Sequence, residues 1–224
     1  MVYFEKSQPA PNCLELEKNK AEGDYKCGEV LERLKNDFKN KCYICESKEP
    51  ITINVEHLRP HESGKNKDLK FDWNNLFWAC GHCNNTKLAS YENILNCTDA
   101  SHDVANKLKY ICNPFPFEKV QIIALDNSAQ TIMTKDLLLA VYNGTTPLKI
   151  IESANLRNKL LADIKEFVRV LFEYFEEINS EDEKHYYLRK IREHLSRGSN
   201  FTAFKRNIIL ENEERKAEFE KYFD

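Results

Sequence analysis

An α+β fold is expected from three features of the sequence. Two Cys-x-x-Cys pairs, Cys42/Cys45 and Cys80/Cys83, bracket residues 46–79. Between them Ile51, Ile53 and Val55 alternate with Thr52 and Asn54, the period of a half-buried strand. From Leu156 onward the apolar residues fall at helical spacing. Together they predict a metal-stapled ββα module followed by a mainly helical C-terminal extension, organised as an N-terminal arm (1–27), the module (28–112) and a mixed hairpin and helical region (113–224).

Taken in order, residues 1–26 are polar, carry Pro9 and Pro11, and read as an extended arm able to dock on the body or on a partner. Leu31, Leu34 and Phe38 predict a helix from about Gly28 to Phe38. The first strand ends at Glu56 and His57, and the lysine-bearing, Gly-broken stretch from His61 to Lys70 reads as a loop. Asn75 to Ala79 predict a second strand, which turns through Cys80-Gly81-His82-Cys83 into a helix over roughly Asn84 to Asn93. Asn113-Pro114-Phe115-Pro116 breaks the chain. Residues 121–125 and 131–134, separated by Asp126-Asn127-Ser128, resemble a hairpin. Leu156, Leu160, Ile164, Phe167, Val168, Leu171, Phe172 and Phe175 then share one broad helical face. Ser180 and Glu183 have the spacing of a capping box that starts a helix ending near Gly198. A further helix follows from about Asn200, and the last residues read as a charged helix or a frayed tail.

The chain has 224 residues, with 33 Lys and Arg against 36 Asp and Glu, a formal charge of −3. This length can bury a core without disulfide staples. The balance excludes the general basic field of a nucleic-acid coat protein, so phosphate binding must be local or shared with a partner. The N-terminal residues have no apolar stretch suited to secretion, and no window approaches 18 consecutive apolar residues, so a soluble, cytoplasmic protein is expected. In that compartment eight cysteines favour a metal over disulfides. Cys13, Cys27, Cys97 and Cys112 stand alone and are expected to be reduced thiols.

Two short knuckles fit a tetrahedral zinc site, because each places two thiolates on one side of the ion. A closed site of Cys42, Cys45, Cys80 and Cys83 leaves no open coordination position, so the zinc is expected to hold the fold. A module of this size buries little apolar surface, and metal binding can supply much of its folding free energy. On the cysteines alone, a ribbon that only binds nucleic acid or protein is as good a reading as catalysis.

The residues between the knuckles separate these readings. Glu56-His57-Leu58-Arg59-Pro60, Trp73-Asn74-Asn75-Leu76 and Cys83-Asn84-Asn85-Thr86-Lys87 occur in that order, and together resemble the HNH endonuclease family. The resemblance covers about a quarter of the chain. It implies a metal-dependent endonuclease hydrolysing phosphodiester bonds, most simply of DNA. An RNA-directed nuclease and a non-catalytic zinc ribbon are the alternatives.

Phosphodiester hydrolysis needs a base for water, a cation to neutralise charge on the phosphate and leaving oxygen, and groups to orient both. His57 suits the base, with the Asn75 amide oxygen expected to accept a hydrogen bond from one ring nitrogen and fix the tautomer. Glu56 and Asn84 offer oxygen ligands, which favour Mg²⁺ or Mn²⁺. Neighbouring strand residues point to opposite faces, so Glu56 and His57 converge only if the strand end bends. Lys87 and Arg59 are the expected phosphate contacts. Asn74 rivals Asn75, and Asn85 rivals Asn84. His61 and His82 are expected to face solvent, Trp73 and Trp78 to pack the module, and Lys65, Lys67 and Lys70 either to track a phosphate backbone or to form a solvated loop. More loosely, the whole layout, including Thr146-Pro147-Leu148 and the segment from Phe201 to Arg206, is similar to the HNH nuclease subunit of Septu-type and retron-associated anti-phage systems. That resemblance implies an ATPase partner subunit. The chain has no Walker motif of its own, and its helical C-terminal half would supply the docking surface.

Overall fold

In a computed structural model, residues 1–177 and 180–224 are described. The N-terminal segment is less extended than expected. It carries a short helix α1 (Asn12–Lys18) before α2 (Gly28–Asp37), and a disulfide joins Cys13 to Cys27. This corrects the expectation of reduced thiols at these two positions: residues 14–26 turn back on themselves and bring the two sulfurs together.

The module is built on β1 (Ile53–His57) and β2 (Leu76–Cys80), paired antiparallel with His57 opposite Leu76 and Ile53 opposite Cys80. Between them the expected loop contains a 3₁₀ turn (Glu62–Gly64), the short helix α3 (Lys67–Phe71) and a second 3₁₀ turn (Trp73–Asn75). Each is started by a side chain that accepts a backbone N–H: His61, Asn66 and Asp72 respectively. Helix α4 (Gly81–Lys87) follows β2 directly and packs on both strands. It stops short of the expected Asn93 because Leu88 takes a positive φ of 41°, where a right-handed helix cannot continue.

After α5 (Val104–Lys107), β3 (Leu108–Ile111) pairs antiparallel with β4 (Gln121–Ala124). The hairpin expected over 121–134 is therefore corrected. Ser128 accepts from the N–H of Thr131 and starts α6 (Ala129–Asn143), so residues 131–134 are helical and β4 finds its partner upstream. Thr146 caps α7 (Pro147–Phe175), with Pro147 in its first turn, where its missing N–H costs nothing. Leu156, Leu160, Ile164, Phe167 and Leu171 are buried along it, whereas Phe172 and Phe175 face outward. Both bonds of the Ser180–Glu183 capping box form, and α8 (Glu181–Leu195), α9 (Thr202–Leu210) and α10 (Glu213–Phe219) complete the chain.

One apolar core runs through both the module and the region beyond the Asn113–Pro116 break. Phe4, Leu34, Phe38, Tyr43, Phe77, Leu108, Leu138, Tyr142, Leu160 and Phe204 all belong to it. A smaller core forms where α7, α8, α9 and α10 meet, around Phe167, Ile191, Ile209 and Phe219. Among the described residues, no helix is long and apolar enough to cross a membrane.

Candidate functional site

The first knuckle forms because the chain folds tightly around its own backbone. Glu46 N–H donates to the Cys42 carbonyl at 2.8 Å, Cys42 N–H to Ser47, and Tyr43 N–H to Trp78 on β2. Glu46 takes a positive φ of 58° in this turn. Its carboxylate is buried beside Lys41 (3.5 Å) and the Met1 ammonium (3.3 Å) and accepts from Ala203 N–H. Burial alone would raise this carboxyl, but Lys41, Met1 and the Ala203 amide outweigh it and hold the pKa at about 2.

The second knuckle is the start of α4, where the Cys80 sulfur accepts from Cys83 N–H. The four sulfurs of Cys42, Cys45, Cys80 and Cys83 lie within 4.8 Å of one another, and all four residues are buried. An all-sulfur donor set of this size and seclusion fits a tetrahedral zinc and leaves no position for water.

Helices of the C-terminal region clamp both knuckles. Tyr142 Oη donates to the Cys45 carbonyl at 2.6 Å. His82, expected to face solvent, instead bridges the Glu152 carboxylate (2.7 Å) and the Val141 carbonyl (2.8 Å), and is mostly covered. Since a carbonyl only accepts, its Nε2 carries a proton.

At the other end of the hairpin, Glu56 and His57 face different surroundings, as strand alternation requires. Glu56 is buried: Oε2 accepts from Tyr43 Oη at 2.5 Å and Oε1 from Lys87 Nζ at 2.7 Å. Burial pushes its carboxyl up, against the pull of Lys87 and Tyr43. Lys87, expected to meet a phosphate, is fully buried and donates to Glu56 and to the His57 carbonyl. The correction has a physical cause: at the last position of a helix packed on both strands, its ammonium reaches the buried Glu56 carboxylate before it can reach solvent.

The His57 ring lies on the opposite side. Its Nε2 is 3.0 Å from the Lys70 carbonyl, and its ring centroid is 4.6 Å from that of Tyr25 and 4.3 Å from that of His61. The expected bond to Asn75 does not form. Asn75 Oδ1 accepts from Arg59 N–H, while Nδ2 donates to the carbonyls of Arg59 (3.0 Å) and Leu69 (2.9 Å). Asn75 therefore pins the loop that follows His57, and Lys70 supplies the orienting oxygen through its backbone.

The chemical consequence matches the intended one by another route. The Lys70 carbonyl can only accept, so the proton sits on Nε2, and Nδ1 is left with its lone pair. Among the described residues nothing hydrogen-bonds Nδ1. Burial, with help from nearby His61 and from the Lys87 and Lys26 ammoniums and against the Lys70 carbonyl, lowers the His57 pKa to about 4. The imidazole is thus neutral at pH 7. Arg59 is exposed beside it, and Asn84 is half-buried with no side-chain hydrogen bond among the described residues.

The fit of a second, oxygen-bound ion is less good. Both Glu56 oxygens are engaged, one by an ammonium that a cation would have to displace, and the cysteine cage is the only cluster of three or more Cys, His, Asp or Glu ligands among the described residues. Trp73 and Trp78 are buried in the module, as expected.

Three participants carried no usable signal in the sequence. The Lys70 carbonyl is a backbone group that every residue possesses, and Tyr25 arrives from the N-terminal segment. Tyr43 lay in plain view between two cysteines, and only its contact with Glu56 gives it meaning.

The HNH endonuclease family model matches residues 42–90, from the first knuckle to just beyond α4. No curated protein matches the chain at a significant level. The chain therefore carries an HNH endonuclease domain, from a nuclease family whose substrates are nucleic acids.

Proposed function

We propose that this chain is an HNH endonuclease that hydrolyses phosphodiester bonds of DNA, with His57 as the general base. One observation carries the reading: the His57 ring stands at the end of β1 with Nε2 tied to the Lys70 carbonyl and Nδ1 unbonded. A neutral imidazole in that tautomer can take the proton of an attacking water through Nδ1. Exposed Arg59 is the candidate to meet a phosphate oxygen, and Asn75 ties the loop after His57 through two bonds to the Arg59 backbone and one to the Leu69 carbonyl. The zinc cage anchors one end of the hairpin, where β1 begins and β2 finishes, and takes no part in the reaction.

Divalent-ion dependence belongs to the same proposal. Mg²⁺ or Mn²⁺ would neutralise charge on the phosphate, with Asn84 and Glu56 as oxygen donors. Glu56 serves only if Lys87 yields its place, so no step is routed through that ion here. The looser whole-chain resemblance extends the proposal to the nuclease effector of an anti-phage complex with an ATPase partner. The outward apolar residues Leu148, Ile151, Phe172 and Phe175 on α7 support a docked partner.

The test is cleavage of plasmid DNA and of total RNA by the full chain, with Mg²⁺, Mn²⁺ or EDTA, alongside His57→Ala. Loss of a general base costs roughly 10²- to 10⁴-fold, and here zinc content and fold should survive it. Equal activity in the variant would remove His57 from the mechanism. Cleavage of RNA alone would redirect the substrate, and no cleavage of either would favour the zinc ribbon. The acid limb of the pH–rate profile should fall with a midpoint nearer 4 than the ordinary 6.5, because the imidazole stays neutral down to about pH 4.

A further inference from the structure

The disulfide and the candidate base are linked through a short stretch of backbone. Cys13 lies in the first turn of α1, and Cys27 is the residue that starts α2. The segment between them lies on the His57 side of the module. Tyr25 sets its ring edge-on to His57 at 4.6 Å and lies 6.3 Å from His61. Gly23 is packed so closely that a Cβ there would meet the Glu17 carbonyl oxygen at 1.8 Å and the Phe71 ring at 3.2 Å.

Two lysines of the 61–71 loop are spent on this segment. Lys70 Nζ donates to the Gly23 carbonyl at 2.9 Å and Lys67 Nζ to the Lys20 carbonyl at 3.3 Å, while Lys18 pairs with Asp68 at 2.8 Å. Under this cover His57 is only 8% exposed. Yet Leu14 and Gly23 are the only buried residues between the two cysteines. Apolar burial therefore holds the segment weakly, and the covalent link supplies much of its confinement.

We propose that the Cys13–Cys27 disulfide is a redox latch that holds Tyr25 over His57, and that a dithiol reductant opens the site by cutting it. The gating half rests on the nuclease reading given above; the covering half does not. A reductant thiolate attacks one sulfur and releases the other cysteine as a thiol. The second reductant thiol then displaces the mixed disulfide. Two electrons and two protons pass to the chain, giving two cysteine thiols and one oxidised dithiol. With the latch cut, the segment can leave the loop. His57 then meets water and substrate, and Lys67 and Lys70 become free for backbone phosphates, whose binding depends on such unpaired cations. An oxidised chain is therefore the restrained form, and a reducing compartment, where disulfides in proteins are usually transient or regulatory, favours the open one.

The experiment uses the zinc-loaded full chain in three forms: oxidised, Cys13→Ser/Cys27→Ser, and Tyr25→Ala with its disulfide intact. Working by substitution avoids strong thiols that would compete for zinc, and zinc content and circular dichroism establish that each form is folded. Acylation of His57 by diethylpyrocarbonate is followed by peptide mass spectrometry, with exposed His185 on α8 as the internal standard. Relative to His185, labelling of His57 should rise at least threefold in both variants, and plasmid nicking should rise with it.

If labelling rises in both variants but no form cleaves nucleic acid, the cover stands and the nuclease reading is the one that fails. Unchanged labelling overturns the latch, as does alkylation showing Cys13 and Cys27 free in air-oxidised protein. Labelling that rises while cleavage stays level also overturns it, because an open site would then gate nothing.

Discussion

The two ends of the β1–β2 hairpin hold their side chains in opposite ways. At one end four thiols from two knuckles point into a common space within 4.8 Å, where the Cys83 backbone N–H donates to the Cys80 sulfur. At the other end Glu56, Asn75 and His57 already have protein partners: Glu56 holds Lys87 and Tyr43, Asn75 holds Arg59 and Leu69, and His57 holds Lys70. The first arrangement has the donor set of a metal site. The second is closed among protein groups, so the chemistry proposed for it rests on one nitrogen left unbonded and on exchanges of partner.

The harshest way to break this comparison is to damage the cage. Cys83→Ser removes a thiolate from a fully buried site and leaves a hydroxyl that binds zinc poorly. Structural zinc contributes on the order of 10–16 kcal/mol in isolated zinc-finger peptides. Here the shared core softens the loss, yet the hairpin should no longer unfold with the rest of the chain. Far-ultraviolet circular dichroism melts and zinc content measure both effects. A variant that melts like the parent would show that the four cysteines need no metal.

A second variant separates the two ends by charge. Lys87→Met keeps the length and apolar stem of the side chain while leaving Glu56 buried without its cation. Breaking a buried pair by removing one partner typically costs about 3–5 kcal/mol, readable in urea titrations at pH 7. Raising the pH through the elevated Glu56 pKa should deepen the loss, since the variant must then bury a bare carboxylate. If Glu56 is a ligand once Lys87 yields, Mg²⁺ should restore a measurable share of that stability in the variant and little in the parent. No restoration would confine Glu56 to a structural role.

How much of each end was legible in the sequence follows from the same contrast. The cage is written in local spacing, and two Cys-x-x-Cys pairs declare it before any fold is known. β1 was equally plain, because Ile53, Val55 and their polar neighbours alternate. The far end was legible in its residues but not in their bonds. Asn75 pairs with backbone atoms of Arg59 and Leu69, and His57 pairs with a backbone carbonyl, so neither partner has a residue type to betray it. Lys87 looked like a phosphate contact because exposure is not encoded one turn into a helix. Asp126-Asn127-Ser128 illustrates another ambiguity: the side chains that favour a turn also cap a helix, and only the absence of a paired strand over 131–134 decides which. The Cys13–Cys27 link had no signature at all, since two lone cysteines with no shared motif say nothing about distance.

Asn75 offers a test of intermediate size. It uses its amide as acceptor once and donor twice, so Asn75→Asp, nearly identical in shape, should be no milder than Asn75→Ala. Either leaves half-buried carbonyls unpaired, at roughly 1–3 kcal/mol. Cleavage should fall further than stability suggests, because the Arg59 backbone loses its fixed position. An Asp variant that behaves like the parent would mean that the amide's donors are idle and that the loop after His57 is held by other means.

The smallest expected effect probes whether the cage is held by more than its own knuckles. Tyr142, on α6, donates to the Cys45 carbonyl at 2.6 Å, and its ring packs edge-on against Phe204 at 5.3 Å. Tyr142→Phe keeps the ring, the volume and the contact with Phe204, and deletes only the hydroxyl. The orphaned carbonyl is buried, so the loss should be about 1 kcal/mol. If that bond stiffens the knuckle, the cost appears in the metal site as well as in the melt: zinc transfer to a chromogenic chelator should quicken by roughly fivefold, the rate equivalent of that free energy. A variant destabilised overall but unchanged in zinc release would place Tyr142 in the core alone and leave the cage dependent only on the short chain segments that carry its cysteines.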